Sequence, residues 1–200
     1  MDINFGLFLL SGVGISITVI LIPGPITAAT IAKGYSNRNA GIMIAAGHAV
    51  VEIPLIAAIY LGFDCFISAP QVVKAIYIVG ALMLFYLGFK MLRNASNVYI
   101  KEGGLPTSSL ITGIVLTGTN PAFYLWWVFI GMAWIVGATK FGLKGIILFT
   151  VLHWLCDLAW CEFLSVGAFK SRHWLSLKAQ RIVFRICALV LIGFGAWFGI

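Results

Sequence analysis

The chain is poor in charged residues. Only 10% of its 200 residues are Asp, Glu, Lys or Arg, whereas a soluble domain averages about 25%. So little charge cannot cover a globule in water, and 62% of the residues are hydrophobic. With a mean hydropathy of +1.06, the apolar segments must face lipid as well as one another. The composition excludes an ordinary soluble domain and predicts an integral membrane protein.

Several sequence motifs are also absent, and each absence removes a class of function. HExxH, GxSxG and SxxK do not occur, so neither the activated nucleophile nor the metal-bound water of a hydrolase is indicated. We therefore expect no enzyme activity and no cofactor. The formal charge of +7 could indicate a nucleic-acid partner, but the basic residues lie in short connectors and form no extended basic face. We expect no nucleic acid to bind.

The cysteines and the N-terminus exclude two further features. The four cysteines show no CxxC spacing, which argues against both a disulfide framework and a zinc site. Three of them fall inside apolar segments, and we interpret all as structural thiols: Cys65, Cys156, Cys161 and Cys187. The N-terminal segment has no positive region before its apolar run and no small-residue cleavage site after it. It predicts a retained first helix and no signal peptide.

Six apolar windows are long enough to cross a bilayer, which takes about 20 residues. Their approximate limits are 4–32, 40–63, 72–93, 108–137, 142–168 and 181–199. We therefore expect one all-α transmembrane domain over residues 1–200, with six transmembrane helices and both ends on one side.

Lys and Arg are distributed unequally between the two sides of this arrangement. The first, third and fifth connectors hold ten of the 13 basic residues: Lys33, Arg38, Lys90, Arg93, Lys101, Lys170, Arg172, Lys178, Arg181 and Arg185. The other side holds Lys74, Lys140 and Lys144. Because cytoplasmic connectors carry the excess of positive charge, these odd connectors are predicted to be cytoplasmic and both termini to lie outside.

The chain contains an internal repeat. A shift of 105 residues superposes three pairs, His48 on His153, Glu52 on Asp157 and Gly62 on Gly167. A shift of 107 superposes three more, Lys74 on Arg181, Ala81 on Ala188 and Gly88 on Gly195. We infer two three-helix units, repeat one at 1–94 and repeat two at 108–200, joined by a connector at 95–107. Because three is odd, the second unit crosses the membrane in the opposite sense, which predicts an inverted repeat with a substrate site near the midplane.

A histidine followed four residues later by a carboxylate occurs in each repeat, near the middle of an apolar window. The pairs are His48 with Glu52 and His153 with Asp157. Residues four apart share one face of a helix, and ionisable groups at this depth are costly and mark functional sites. If both pairs face the axis, four titratable groups converge, and Glu52 and Asp157 can exchange protons there. Each histidine alone is also compatible with a buried imidazole bonded to nearby backbone.

A proline break interrupts the first window of each repeat. Pro23-Gly24-Pro25 lies in the first window, and Asn120-Pro121 lies near the middle of the fourth. Proline removes a backbone donor and displaces the carbonyl four residues earlier. In lipid, such groups are tolerated only inside protein or beside a wet cavity. We predict that both breaks present helix ends to a substrate, with a simple packing kink as the alternative.

The tryptophans are confined to the second half of the chain. Trp126 and Trp127 directly follow the second break, and either wall a substrate cavity or pack between helices and at the membrane interface. We include Trp126 among the candidate binding residues.

Two other groups of residues have structural interpretations. Glu162 lies nearly opposite His153 around its helix, which indicates an interfacial residue. Small residues allow membrane helices to approach closely, and we expect this of three glycine pairs: Gly12 with Gly14, Gly41 with Gly47, and Gly193 with Gly195.

Four segments together resemble the LysE/RhtB amino-acid exporters. They are Pro23-Gly24-Pro25, Gly41 to Glu52, Tyr86-Leu87-Gly88-Phe89-Lys90, and Thr119-Asn120-Pro121 followed by Leu125-Trp126-Trp127, in an order kept over nearly the whole chain. The resemblance implies proton-driven export of amino acids or related small amines across the cell membrane of a prokaryote. The proline breaks match the family pattern. So does the acidic position, which is Glu52 here where Asp is more usual, so the identity of the substrate stays open.

Divalent-metal exporters of the wider superfamily are the alternative. Two histidines and two carboxylates would make a ligand set for a transition metal. Against this, no third acidic residue lies on the same face, and no acidic or His-rich loop would recruit cations, so we assign no metal ligand. The expected partners are a small-molecule amino-acid substrate, protons and the lipid bilayer, and a homodimer is left open.

Overall fold

The described part of the chain is helical throughout. The computed structural model describes residues 4–22, 24–62, 70–94, 108–172, 174 and 176–198, and these ranges contain no β-strand. The helices are α1 (Phe5–Ile20), α2 (Pro25–Gly34), α3 (Ala40–Tyr60), α4 (Pro70–Asn94), α5 (Ser109–Gly118), α6 (Pro121–Trp126), a π-helical turn (Trp127–Gly131), α7 (Met132–Thr139), α8 (Gly142–Ser171) and α9 (Leu177–Phe198). The predicted all-α class is confirmed for these residues. Pro23, Cys65 and the connector at 95–107 lie outside them.

The described helices that are long and apolar enough to span a membrane are fewer than the six predicted from the sequence. By length and composition, four described helices can cross a membrane: Ala40–Tyr60, Pro70–Arg93, Pro121–Thr139 and Gly142–Ser171. α1 and α2 make a fifth if the bent pair counts as one span. The described residues therefore have the composition and helix lengths of a multi-pass membrane protein, and the count of six stays a prediction.

Two predicted windows are each divided into separate helices. The window 4–32 contains α1 and α2, which are bent by 76° relative to one another, and the window 108–137 contains α5 followed by α6. Each second helix begins with proline at its first position, where the missing N–H leaves no bond unmade. Because proline cannot donate to the preceding turn, the helical hydrogen bonding stops there. The other four windows agree with α3, α4, α8 and α9 to within about a helical turn.

α3 and α8 lie at the centre of the helix packing. α3 packs against α8 and α5, while α1 and α2 both pack against α8. α9 packs against α4 and α2. One cluster of buried apolar side chains joins α2, α4 and α9 around Leu84 and Phe184. A second joins α1, α3, α8 and the π turn around Trp127 and Phe149. The two His-carboxylate pairs are thus carried by the two central helices.

Glycine allows the central helices to approach closely. A Cβ on Gly47 in α3 would meet the carbonyl of Leu110 in α5, and one on Gly113 in α5 would meet the carbonyl of Ile44 in α3. Of the glycines predicted to pack in this way, four do so: Gly12, Gly41, Gly47 and Gly195. The prediction is wrong for the other two, where a Cβ would meet nothing within 4 Å: Gly14 and Gly193.

The substitution Gly47→Ala is expected to lower the free energy of unfolding by about 1–3 kcal/mol, the usual cost of overpacking. Its methyl group would overlap a backbone carbonyl, which cannot rotate away. Gly14→Ala in α1 is the matched control, because that position is open and alanine favours the helix. The thermal unfolding midpoint in detergent measures both. An unchanged midpoint for Gly47→Ala would contradict the close packing of α3 on α5.

Candidate functional site

The two predicted His-carboxylate pairs meet in one cluster between α3 and α8. Oε1 of Glu52 lies 3.0 Å from Nε2 of His48 and 3.2 Å from Nε2 of His153. Oδ2 of Asp157 lies farther from the same two nitrogens, 3.9 Å from that of His48 and 3.7 Å from that of His153. Each imidazole therefore stands between two carboxylates, and Glu52 holds both imidazoles more closely than Asp157 does.

The cluster is buried, and its two carboxylates are buried unequally. Glu52 is fully buried, whereas the side chain of Asp157 retains 16% of its exposure. A charge in an apolar interior is costly unless it is paired and hydrogen-bonded. Glu52 meets this condition through two ring nitrogens at one of its oxygens. Asp157 meets it less fully and has one face toward open space.

Two hydroxyl groups orient the histidine rings from the side away from the carboxylates. Oγ of Ser16 in α1 lies 2.7 Å from Nδ1 of His153, and Oγ1 of Thr117 in α5 lies 2.9 Å from Nδ1 of His48. Ser16 also donates to the carbonyl oxygen of Gly12 at 2.7 Å. Since the partner of one ring nitrogen determines what the other can do, both hydroxyls belong to the site. Neither hydroxyl is predicted from the sequence, where each is simply a hydroxyl residue in an apolar helix.

Aromatic rings enclose the histidines. The ring of Trp126 stacks on His153, with centroids 5.2 Å apart and planes at 18°. Trp127 meets the same imidazole edge-on at 5.3 Å, and Phe123 meets His48 edge-on at 5.3 Å. Trp126 and the more deeply buried Trp127 therefore both lie at the site.

A cavity of about 260 Å³ opens beside the cluster. Eight of the ten predicted site residues line it: Gly24, Pro25, His48, Glu52, Asn120, Trp126, His153 and Asp157. Pro121 is buried at the start of α6 and is not among the lining residues. The remaining residue, Pro23, lies outside the described ranges. The rest of the lining is largely apolar and includes Val19, Ile20, Leu164 and Phe194.

Three residues that line the cavity each have a buried polar atom without a hydrogen-bond partner in the described chain. These atoms are Oε2 of Glu52, Oδ2 of Asp157 and Nε1 of Trp160. Buried polar atoms are nearly always hydrogen-bonded in native proteins. These residues therefore hold two acceptors and one donor without a hydrogen bond from the described chain, although Oδ2 of Asp157 lies at ion-pair distance from both histidines. Trp160 was another residue that the sequence analysis missed, although it lies three positions after Asp157 on the same helical face.

The two helix ends at the proline breaks differ. Gly24 precedes α2 in an extended conformation, and no side chain caps that helix. Asn120 precedes α6, and its side-chain oxygen accepts a hydrogen bond from the backbone N–H of Ala122 at 3.1 Å. The end of α6 is therefore satisfied within the chain, while the N-terminus of α2 keeps its positive dipole end without a side-chain cap.

The remaining polar candidates lie away from the cluster or have a structural role. Glu162 is half-buried and accepts a hydrogen bond from Oγ of Ser165 at 3.2 Å. Three described cysteines are free, with Cys161 and Cys187 buried and Cys156 partly exposed. Cys161 also lines the cavity.

Membrane-spanning helices around a buried charged cluster, with a cavity beside it, define a class of protein. Ionisable groups at such depth mark a pathway for a substrate or an ion, and the cavity provides room for one. The class is a membrane transporter.

The chain belongs to the LysE type translocator family, which matches residues 17–200. This confirms the resemblance drawn from the proline breaks and the acidic position. The family is one of transporters and not of enzymes, so the chain is a multi-pass membrane transporter.

Two relatives match nearly the whole chain. The leucine efflux protein of Enterobacter sp. (strain 638) is 28% identical over 189 residues, which cover 89% of this chain and 88% of that protein. The Bacillus subtilis (strain 168) protein named "Putative amino acid efflux protein YcgF" is 26% identical over 188 residues, covering 88% and 87%. No solved structure matches the chain.

Removing either hydroxyl is expected to destabilise the protein. In Ser16→Ala and Thr117→Val the adjacent ring nitrogen loses its partner inside the protein, at a cost of about 1–3 kcal/mol for an unsatisfied buried group. Ser11→Ala is the control, because its exposed hydroxyl bonds only the carbonyl of Leu7 on the same helix. Thermal unfolding midpoints compare the three variants. Equal midpoints would show that the hydroxyls do not support the histidines.

Proposed function

We propose that this protein is a secondary active exporter of amino acids or related small amines in the cell membrane of a prokaryote, coupled to protons. The observation that carries the proposal is the fully buried Glu52, a residue that lines the cavity and has one carboxylate oxygen without a hydrogen-bond partner in the described chain. A cationic amine is the ligand that such an oxygen attracts. The efflux activities in the names of both relatives support the same direction of transport.

The cavity suits a zwitterion in one orientation. The ammonium group of an amino acid would lie against the carboxylates of Glu52 and Asp157, each of which has an oxygen without a hydrogen bond in the described chain. Its carboxylate would then point away from them and toward the uncapped N-terminus of α2 at Gly24, because helix N-termini attract anions. The apolar remainder of the lining would receive the substrate side chain. Asn120 contributes less to this orientation, since its side chain already caps α6.

Proton coupling has a structural basis in the shared imidazoles. Nε2 of His48 and Nε2 of His153 each lie between the carboxylates of Glu52 and Asp157, at 3.0 to 3.9 Å. Protonation of one carboxylate removes its negative charge and weakens its interaction with both imidazoles. Both rings can then interact more strongly with the other carboxylate. Protonation and amine binding then compete for the same oxygens, which is what exchange of a proton for a substrate requires.

The predicted inverted repeat is supported by contacts that come in reciprocal pairs. Glu52 meets His153 and Asp157 meets His48, and the shift of 105 exchanges these two contacts. A Cβ on Gly88 would lie 3.1 Å from the carbonyl oxygen of Ala188, and one on Gly195 would lie 3.2 Å from that of Ala81. The shift of 107 exchanges these as well. A two-fold axis produces contacts of this kind.

Six spans and alternating access belong to the same proposal. α1 with α2, α3 and α4 would form one unit, and α5 to α9 the other. The reciprocal contacts would then lie near the axis between the units, and so would the His-carboxylate cluster. Rocking of one unit against the other would expose the cavity to each side in turn.

Replacement of Glu52 by Gln is expected to reduce proton-driven transport to the level of empty vesicles, because Gln keeps the shape but cannot ionise. Asp157→Asn is expected to do the same. Uptake into inside-out vesicles with an imposed proton gradient measures this, with a panel of labelled amino acids that includes leucine.

Glu162→Gln is the matched control, since that carboxylate lies on α8 away from the cavity, and it should transport as the wild type does. Membrane levels of each variant must be equal. Full proton coupling in Glu52→Gln would rule out the proton-carrier role, and failure of the wild type to transport any amino acid of the panel would rule out the exporter.

A divalent metal ion is a second candidate substrate, and one observation favours it. Ligand atoms of His48, Glu52 and Asp157 all lie within 4.8 Å of one another. Imidazole and carboxylate ligands together suit ions such as manganese and zinc. Against this candidate, the oxygen of Glu52 nearest the histidines is already at hydrogen-bond distance from both rings.

The same vesicles distinguish the two substrates. Manganese and cadmium are expected to remain outside, while a labelled amino acid enters and its uptake collapses with the gradient. Metal uptake without amino-acid uptake would make His48, Glu52 and Asp157 metal ligands and replace the first proposal with the second.

A further inference from the structure

Trp160 lies on the same face of α8 as Asp157, one turn farther along the helix. Asp157, Trp160, Cys161 and Leu164 follow one another at helical spacing, and all four line the cavity. The Trp160 ring also stacks on Phe163, with centroids 5.6 Å apart. Trp160 is thus a lining residue of the cavity whose ring packs on an aromatic neighbour.

The indole N–H of Trp160 has no acceptor in the described chain, and its nitrogen is shielded from solvent. An indole nitrogen can only donate, and a buried donor without an acceptor costs free energy. Trp154, on the same helix, shows the ordinary situation: its N–H donates to the carbonyl of Ala45 at 3.0 Å. The two residues also differ in that Trp160 is among the residues that line the cavity and Trp154 is not.

The charged groups of the cavity determine what kind of acceptor can satisfy this donor. The unpartnered oxygens of Glu52 and Asp157 attract a cation and repel an anion. The ring nitrogens of the two histidines are already occupied, by Glu52 at Nε2 and by hydroxyls at Nδ1. They offer no further donor to an anionic group. A substrate that brings an anionic acceptor to Trp160 would therefore place its cationic end at the carboxylates.

We propose that Trp160 is a specificity-determining residue whose indole N–H binds the carboxylate of the substrate. It thereby selects α-amino acids over simple amines. This inference rests on the proposed exporter function and adds to it a residue that recognises the substrate carboxylate. Together with the uncapped N-terminus of α2 beside Gly24, the indole forms the anion-binding end of the cavity.

The test compares two probes that differ only in the carboxylate, leucine and 3-methylbutylamine. Binding of each to the purified full-length protein is measured by calorimetry. In the wild type, leucine is expected to bind more tightly than the amine. In Trp160→Phe, which keeps an aromatic ring but removes the donor, this preference is expected to fall by about 10- to 100-fold, the range of a hydrogen bond to a charged group. Affinity for the amine should not change.

Trp154→Phe is the matched control, because it removes an indole N–H from the same helix without touching the cavity, and its preference should equal that of the wild type. Trp160→His restores an N–H and should recover part of the preference. It also serves if Trp160→Phe does not fold.

The outcomes separate the two proposals. An unchanged preference in Trp160→Phe, or an equal loss of affinity for both probes, would overturn the role of Trp160 and leave the exporter standing. Equal binding of leucine and the amine by the wild type would overturn it too. If the wild type binds another amino acid of the panel but not leucine, that amino acid and its decarboxylated amine become the probes. Binding of no amino acid would overturn the exporter and this inference with it.

Discussion

The burial of Glu52 against two imidazoles is the interaction on which the rest of the site depends. An unpaired carboxylate in an apolar interior would cost a large part of the stability of a domain. Here one oxygen is met by ring nitrogens at 3.0 and 3.2 Å. His48 comes from the same helix, but His153 can reach that oxygen only if α8 lies directly against α3. The buried charge of Glu52 is therefore neutralised only when the two central helices pack against one another.

This requirement organises the neighbouring helices as well. Each histidine ring has a carboxylate on one side and a hydroxyl on the other, and the hydroxyls come from α1 and α5. Four helices are thus joined through two rings, and glycines such as Gly41 and Gly47 allow the backbones to come close enough. By contrast, among the described residues the indole N–H of Trp160 has no acceptor and no side chain caps the N-terminus of α2. In the proposed transporter, the joined helices would form the fixed part of the site and these groups would face the substrate.

The sequence predicts features that depend on a single helix, such as where it lies in the chain and which residues share one of its faces. Long apolar windows locate the helices, so the window at 142–168 agrees with Gly142–Ser171, and a spacing of four residues places a histidine and a carboxylate on one face. Features set between helices are not predictable in this way. That Glu52 and not Asp157 holds both rings depends on the separation of α3 and α8. Ser16 resembles any other serine in an apolar helix until its position beside His153 is known. The bend of 76° between α1 and α2 is likewise a matter of tertiary packing, since proline marks only the place of a break.

The hydroxyl of Ser16 carries a single proton, and this has a consequence for the charge of the cluster. If that proton goes to the carbonyl of Gly12, Nδ1 of His153 must donate, and the close contact of Nε2 with Glu52 then needs a further proton between the two. If the hydroxyl turns to Nδ1 instead, the ring is a neutral tautomer whose Nε2–H donates to an ionised Glu52. Rotation of one hydroxyl about one bond therefore accompanies the gain or loss of one proton, without any helix having to move.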